Sequence, residues 1–323
     1  MRTRRERGVV SGPRVLLPWP PGEVGGLPEG WTAVVWDGTG DPPGAGPLGT
    51  VEFFVIPYAF TGAARPLLDR MPRLRVVQSL SAGVDDLAPH VPDGVTLCNA
   101  RGVHDASTAE LAVALVLASL RGIPDFAAAQ RTGTWSGGLR PALAGRTVLV
   151  VGHGSVGAAV EARLAPFECG IVRVARTARE GPGGPVHAAG DLPGLLGAVD
   201  VVVLTVPLTA RTRGLVDAEF LARMKDDALL VNVARGPVVD TGALVHELRA
   251  GRLRAALDVT DPEPLPPGHP LWSAPNVLIT PHAGGNTTAF PPRARALVRA
   301  QLERFTAGRP LANVVLGPGS AAG

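Results

Sequence analysis

The 323 residues, 46% hydrophobic and 18% charged with a net charge of +3, have the balance of a soluble globular chain long enough for roughly two domains. The longest apolar run, Leu111 to Ala118, is far shorter than the ~20 residues of a bilayer-spanning helix, and Val9-Val10 is followed at once by Ser, Gly and Pro, so neither a membrane span nor a signal peptide is expected and the expected location is cytoplasmic. Arg2, Arg4, Arg5 and Arg7 gather the basic excess into what reads as a disordered tail over 1–12, with no aromatic interleaving to suggest nucleic acid, and Cys98 and Cys169 lack any metal-ligand spacing and read as small buried hydrophobes, so no metal and no disulfide is expected.

Arg14–Pro18, Thr32–Trp36, Val51–Ile56, Leu74–Gln78 and Val95–Cys98 read as five short strands. The spacer Pro18 to Pro28 is too short and too rich in Pro and Gly for a full crossover helix, so in a parallel sheet either this connection is atypical or the strand order differs. Ser79-Leu-Ser-Ala-Gly-Val-Asp-Asp86 follows the fourth strand at the end where open α/β sheets bind ligands. The backbone N–H groups of Ala82, Gly83 and Val84 could form a nest for a carboxylate, or the stretch could be a plain turn. Residues 105–121 predict a strong helix, apolar nearly all round its centre and therefore buried, with the first domain crossing just before it, near 103–106. Thr134–Gly138 reads as a polar turn.

Next comes Val148–Val151, a run suited to a fully buried parallel strand, then Gly152-His153-Gly154-Ser155-Val156-Gly157, then apolar residues at helical spacing. The glycines match G-x-G-x-x-G between strand and helix. The first permits the tight turn, the second admits a pyrophosphate close to the backbone, and the third lets helix and strand pack together. A purely structural turn is the alternative. Strands follow at Ile171–Ala175, Asp200–Pro207, Leu229–Ala234, Ala255–Val259 and Asn276–Thr280, with helices near 217–224 and 240–250, a doubly wound sheet. Polar residues lie just beyond successive strands: Thr209, Arg235, Asp258 with Glu263, and His282. Taken singly, Arg235 could be a surface cation, Glu263 a loop charge and His282 a cap; together they read as a catalytic set.

Three ordered blocks make a family resemblance specific. Val231-Asn-Val-Ala-Arg-Gly-Pro-Val-Val-Asp240, Leu257-Asp-Val-Thr-Asp-Pro-Glu-Pro-Leu265 and Thr280-Pro-His-Ala-Gly-Gly285 resemble the signatures of the D-isomer-specific 2-hydroxyacid dehydrogenases. Ser81–Asp85, the glycine loop, Val206–Leu215 and the closing Gly308-Arg-Pro-Leu-Ala-Asn-Val extend the likeness over about residues 73 to 315. The resemblance implies two doubly wound parallel-sheet α/β domains: a flavodoxin-like substrate domain, 1–104 plus 284–323 with a closing helix over Pro292–Ala307, and an inserted Rossmann dinucleotide-binding domain, 105–283. It also implies a homodimer acting on a small 2-keto or 2-hydroxy acid with a nicotinamide cofactor. By the same resemblance His282 is the proton donor paired with Glu263, and Arg235 is the cation that receives the substrate's carbonyl and carboxylate. Asp258 would hold the nicotinamide carboxamide or serve as a turn cap. Val206, Pro207, Thr209, Val233, Ala234 and Gly284 would line the cofactor, while His104 and Asp105 are given no catalytic role.

NAD-preferring dinucleotide folds carry an acidic residue roughly 20 positions beyond the glycines, which binds the ribose 2′-OH. Here Ala175 stands at that place, followed by Arg176, Thr177 and Arg179, which offer charge and hydroxyl to a 2′-phosphate, so NADP is favoured over NAD unless the arginines are merely a solvated strand end. The second block looks most like glyoxylate and hydroxypyruvate reductases. Other expectations on the same scaffold are a formate, phosphite or phosphoglycerate dehydrogenase, the last without the added C-terminal regulatory domain of its long forms, or a cofactor-sensing interaction protein.

Overall fold

The computed structural model describes residues 12–317, so the arginines expected in a disordered tail lie outside the described residues. Contacts divide the chain into two compact units, one made by residues up to Val103 and again from Pro291, the other by His104–Phe290.

In the first unit β1 (Arg14–Leu17), β2 (Thr32–Val35), β3 (Val51–Val55), β4 (Val76–Gln78) and β5 (Thr96–Cys98) form a parallel sheet in the order β5-β4-β3-β1-β2, with helices α1 (Ala45–Leu48) and α2 (Thr61–Leu68) between strands. The expected difficulty between β1 and β2 is real: a single 3-10 turn, Pro21–Val24, stands where a crossover helix is usual, and the two strands still pair in parallel. Successive β3 residues Phe53 and Phe54 point to opposite faces and both are fully buried, so the sheet is covered on both sides. Leu48, Leu67 and Leu68 pack with Leu16, Phe54, Val77 and Leu97 on one of them.

The second unit opens with α3 (Asp105–Arg121), which ends at Gly122 in the left-handed conformation, φ 66°, and gives way to α4 (Ile123–Arg131). Then come β6 (Thr147–Val151), α5 (Ser155–Leu164), β7 (Gly170–Ala175), β8 (Arg179–Gly181), β9 (Gly184–Ala188), α6 (Leu192–Leu195), β10 (Val201–Leu204), α7 (Ala218–Arg223), β11 (Leu229–Asn232), α8 (Thr241–Arg249), β12 (Arg254–Leu257) and β13 (Val277–Ile279). Their order is β13-β12-β11-β10-β6-β7-β9-β8, parallel throughout except for the hairpin β8–β9, which the sequence does not announce. Strand order reverses at β6, and the glycine loop leaves the carboxyl end of that strand, where such sheets bind ligands. Val148 and Val150 face α3 and α5, while Leu149 and Val151 face the α7 and α8 side, all at most 2% exposed, which is why β6 reads as an unbroken apolar run. Asp217 and Asp240 cap α7 and α8, their Oδ1 atoms accepting from the N–H of Phe220 at 2.8 Å and Ala243 at 2.9 Å.

The chain returns to the first unit through α9 (Phe290–Thr306) and β14 (Val314–Leu316), which pairs antiparallel with β5. Buried Gln301 ties α9 to the sheet, its Nε2 donating to Gln78 Oε1 at 2.8 Å and to the Ala312 carbonyl at 2.9 Å. The division falls after Phe290 rather than at the expected 283/284 because 284–290 is anchored to α3: Ser107 and Thr287 hydroxyls meet at 2.7 Å, and the His104 ring stacks on Phe290 at 5.2 Å. Among the described residues no single helix is long and apolar enough to cross a membrane.

Candidate active site

Arg235, Glu263 and His282 follow β11, β12 and β13, three adjacent strands of the second unit. Asn232, 1% exposed, ends β11 by turning its side chain onto the loop: Oδ1 accepts the Ala234 N–H and Nδ2 donates to the Arg235 carbonyl, both at 3.0 Å. That turn presents Arg235, whose Nη1 donates to the Ala234 carbonyl at 2.8 Å. Gly236 must be glycine, since a Cβ there would collide with the carbonyl of Thr260; this close approach brings the loops after β11 and β12 together. The second loop is braced by Thr260 Oγ1 on the Pro262 carbonyl at 2.9 Å and Thr241 Oγ1 on the Asp261 carbonyl at 2.8 Å, and it carries Glu263.

His282 lies in the left-handed region, φ 52°, where its N–H is shared between the carbonyls of Asp258 at 2.7 Å and Thr280 at 3.0 Å. Its Nδ1 stands 2.5 Å from Glu263 Oε1. A carboxylate accepts only, so Nδ1 is the donor and Nε2 is the nitrogen left to exchange a proton with a substrate. Glu263's hydrogen bond is the main cause that raises the His282 pKa above its ordinary value; burial and the Arg235 charge oppose it, and the Glu263 and Asp258 charges add to it. Burial pushes Glu263 upward, but the His282 hydrogen bond and charge, with help from Arg235, outweigh that and leave it below the usual carboxylate range. The pair is thus a carboxylate with an imidazole that favours its charged form.

Asp258, 3% exposed, has both carboxylate oxygens on the His282 turn: Oδ1 accepts from Thr280 Oγ1 at 2.6 Å and Ala283 N–H at 2.8 Å, and Oδ2 from Gly284 N–H at 2.9 Å. Asn232, Thr260 and Thr280 are positioning residues absent from the sequence expectation. Asn232 leaves a usable signal, a polar residue ending an apolar strand run.

The glycine loop has the shape a dinucleotide needs. Gly152 sits at φ 104°, a Cβ there would stand 2.7 Å from the Val206 nitrogen, and Thr205 Oγ1 donates to its carbonyl at 2.7 Å. A Cβ on Gly157 would collide with the Gly152 carbonyl, whereas one on Gly154 would meet open space. Room over Gly154 beside the first-turn N–H groups of Ser155, Val156 and Gly157 fits a pyrophosphate. Val206 and Pro207 leave β10 beside the loop, and Thr209 is tied into a turn by Thr212, its N–H donating to Thr212 Oγ1 at 2.8 Å. Val233, Ala234 and Gly284 are buried behind the strand ends. At the end of β7, Arg176, Thr177 and Arg179 are exposed, while the His153 side chain is turned inward onto Glu161 with an Nε2 to Oε2 distance of 2.5 Å.

In the first unit, Ala82, Gly83 and Val84 follow β4 in a loop held by Asn99 Nδ2 on the Ala82 carbonyl at 2.8 Å and Ser81 N–H on Ser79 Oγ at 3.1 Å. None of their three N–H groups donates to another described residue, as a nest for an outside anion requires.

Residues 113–284 match the family model described as D-isomer specific 2-hydroxyacid dehydrogenase, NAD binding domain. The chain is 38% identical over 232 residues to a glyoxylate reductase of Thermofilum pendens, covering 68% of each chain. It also superposes with a TM-score of 0.77 and 33% identity on a D-isomer specific 2-hydroxyacid dehydrogenase of Xanthobacter autotrophicus in complex with NADPH and MES, covering 95% of this chain and 98% of that one. An NADPH-dependent glyoxylate/hydroxypyruvate reductase of Sinorhizobium meliloti, in complex with NADP and sulfate, gives a TM-score of 0.78 at 28% identity over 94% of this chain and 98% of its own. With these matches added to its two α/β units, this chain belongs to the D-isomer specific 2-hydroxyacid dehydrogenase family and is an NAD(P)-dependent oxidoreductase of 2-hydroxy acids.

Proposed function

We propose that the chain reduces a short 2-keto acid of the glyoxylate or hydroxypyruvate kind to its D-2-hydroxy acid, using NADPH in preference to NADH. The 2.5 Å contact between His282 Nδ1 and Glu263 Oε1 carries this reading, because carbonyl reduction builds negative charge on an oxygen that must then be protonated. When bound, the reduced nicotinamide supplies a hydride. His282 Nε2 gives the proton to the carbonyl oxygen, and Glu263 fixes the ring and stabilises the imidazolium before transfer. Arg235, whose charge is felt at both His282 and Glu263, receives the carbonyl and carboxylate with its planar fork. The bare N–H groups at Ala82–Val84 serve a carboxylate. Asp258 retains lone pairs beyond its three hydrogen bonds, which suits it to the nicotinamide carboxamide as well as to bracing the turn.

The NADPH preference rests on Ala175, which brings no negative charge to the end of β7, and on exposed Arg176, Thr177 and Arg179 beyond it. The Xanthobacter and Sinorhizobium proteins bind NADPH and NADP respectively, which supports it. A cytoplasmic homodimer is part of the same reading; Ile123, Trp135 and Leu139, all more than half exposed on the second unit, are apolar surface suited to a second copy. The test is a panel of keto acids from glyoxylate to aromatic pyruvates, each assayed with NADPH and NADH. Highest kcat/KM with glyoxylate or hydroxypyruvate and NADPH is expected, and an aromatic keto acid or NADH giving the higher value would overturn the corresponding half of the assignment.

A further inference from the structure

A part-buried ionic cluster lies directly behind the glycine loop. Glu161 of α5, with its side chain 15% exposed, receives Arg173 of β7 on Oε1, from Nε at 2.7 Å and Nη2 at 2.5 Å, and His153 Nε2 on Oε2 at 2.5 Å. Arg173 is further fixed by Nη1 on the Ile171 carbonyl at 3.1 Å. The turn of the β8–β9 hairpin rests on this cluster: a Cβ on Gly183 would collide with Glu161 Oε1 and stand 2.5 Å from Arg173 Nη2. The same hairpin begins with Arg179, whose Nη2 donates to the His153 carbonyl at 2.6 Å and lies 3.4 Å from His153 Nδ1.

Proton assignments follow from what each group can do. Glu161, held as a carboxylate mainly by its Arg173 bond, accepts only, so His153 donates from Nε2. Arg179 donates only, so the His153 nitrogen facing it carries no proton. Glu161, eight residues along the chain from His153, therefore sets a tautomer whose acceptor side faces Arg179.

We propose that Glu161, acting through His153 and supported by Arg173, is a positioning residue for cofactor choice: it holds Arg179 across the mouth of the glycine loop, where a ribose 2′-phosphate would be met by a fixed guanidinium. The inference rests on the NADPH reading above. A fixed arginine binds a phosphate better than a mobile one because its side-chain entropy is already lost. Glu161→Gln keeps the volume but cannot keep the pattern. With its amide N–H₂ toward His153, the ring takes the other tautomer and turns an N–H at Arg179; with it toward Arg173, two donors oppose each other.

The experiment is the dissociation constants of NADPH and NADH, by fluorescence titration, for wild type, Glu161→Gln, Arg179→Ala and the double variant. Wild type is expected to favour NADPH, each single variant to lose about tenfold of that ratio with NADH affinity kept, and the double variant to lose no more than Arg179→Ala alone. Wild type without NADPH preference would overturn the NADPH reading and this inference together. Wild type and Arg179→Ala behaving as expected while Glu161→Gln keeps its selectivity, or loses it equally in the absence of Arg179, would overturn the positioning role alone. Retained selectivity in Arg179→Ala overturns it too. His153→Phe, which leaves the Glu161–Arg173 pair whole and removes the acceptor facing Arg179, applies the same test if Glu161→Gln does not fold.

Discussion

Asp258 fixes His282 through the backbone: its carbonyl accepts the His282 N–H at 2.7 Å while its carboxylate takes Thr280, Ala283 and Gly284 on either side. The left-handed φ of 52° at His282 is maintained by these bonds, since a non-glycine residue holds that conformation only when its surroundings over-determine it. Asp258→Asn would put an amide donor against one of the N–H groups the carboxylate now receives. It is expected to cost about 1–3 kcal/mol of stability and to lower kcat along with it. Thermal denaturation and steady-state kinetics on the same preparation check this, and an unchanged Tm would remove the brace from the account.

His282→Ala should lower turnover by about 10²–10⁴-fold, the usual worth of a positioned proton donor, with NADPH affinity intact. Unchanged turnover in the folded variant would take His282 out of the chemistry.

The pH dependence has a definite sign. In the proposed mechanism keto-acid reduction consumes the imidazolium, so its rate is expected to be full below the His282 pKa and to fall as pH rises through it, and hydroxy-acid oxidation, which would need the neutral ring, to behave oppositely. Because Glu263 is the main cause holding that pKa above 6.5, Glu263→Gln should move the falling limb of reduction to lower pH. Glu263 itself stays ionised across this range, its pKa being depressed. Profiles of kcat/KM for both directions would show the shift, and a limb that stays in place would separate Glu263 from the titration.

The parts of this architecture legible in the sequence are those whose signal is local. β6, β10 and β11 are apolar on both faces and read as unbroken runs, and Arg235, Glu263 and His282 stand in ordered blocks after strands. Other elements are not legible: Arg179–Gly181 and Gly184-Pro-Val-His-Ala188 become β8 and β9 only by pairing with each other and, for β9, with β7, and α4 buries no residue. The Glu161–Arg173 pair joins a helix to a strand and obeys no spacing rule. Leu229–Ala234 reads as one strand in the sequence, yet β11 stops at Asn232 because that side chain bonds to its own loop.

Gly236→Ala tests the close approach beside Arg235. A methyl group there meets the Thr260 carbonyl, so the loops after β11 and β12 must separate. About 1–3 kcal/mol of destabilisation is expected, with a loss of kcat because Arg235 precedes the displaced residue. Wild-type stability and kcat in the alanine variant would refute the steric reading.

Ala175→Asp tests cofactor choice at the end of β7. Ala175 is half-buried and pairs with Ala188 of β9, and Arg176 begins the exposed stretch that leads to Arg179. A carboxylate at 175 would accept from a ribose 2′-OH and repel a 2′-phosphate, so kcat/KM for NADPH should fall while that for NADH rises or holds. Arg176→Ala removes attraction without adding repulsion, so it should weaken NADPH use and leave NADH use unchanged. The two variants thus separate the absent acid from the present base. Equal NADPH selectivity in wild type and both variants would mean that the arginines are a solvated strand end and that the cofactor's phosphate is recognised elsewhere.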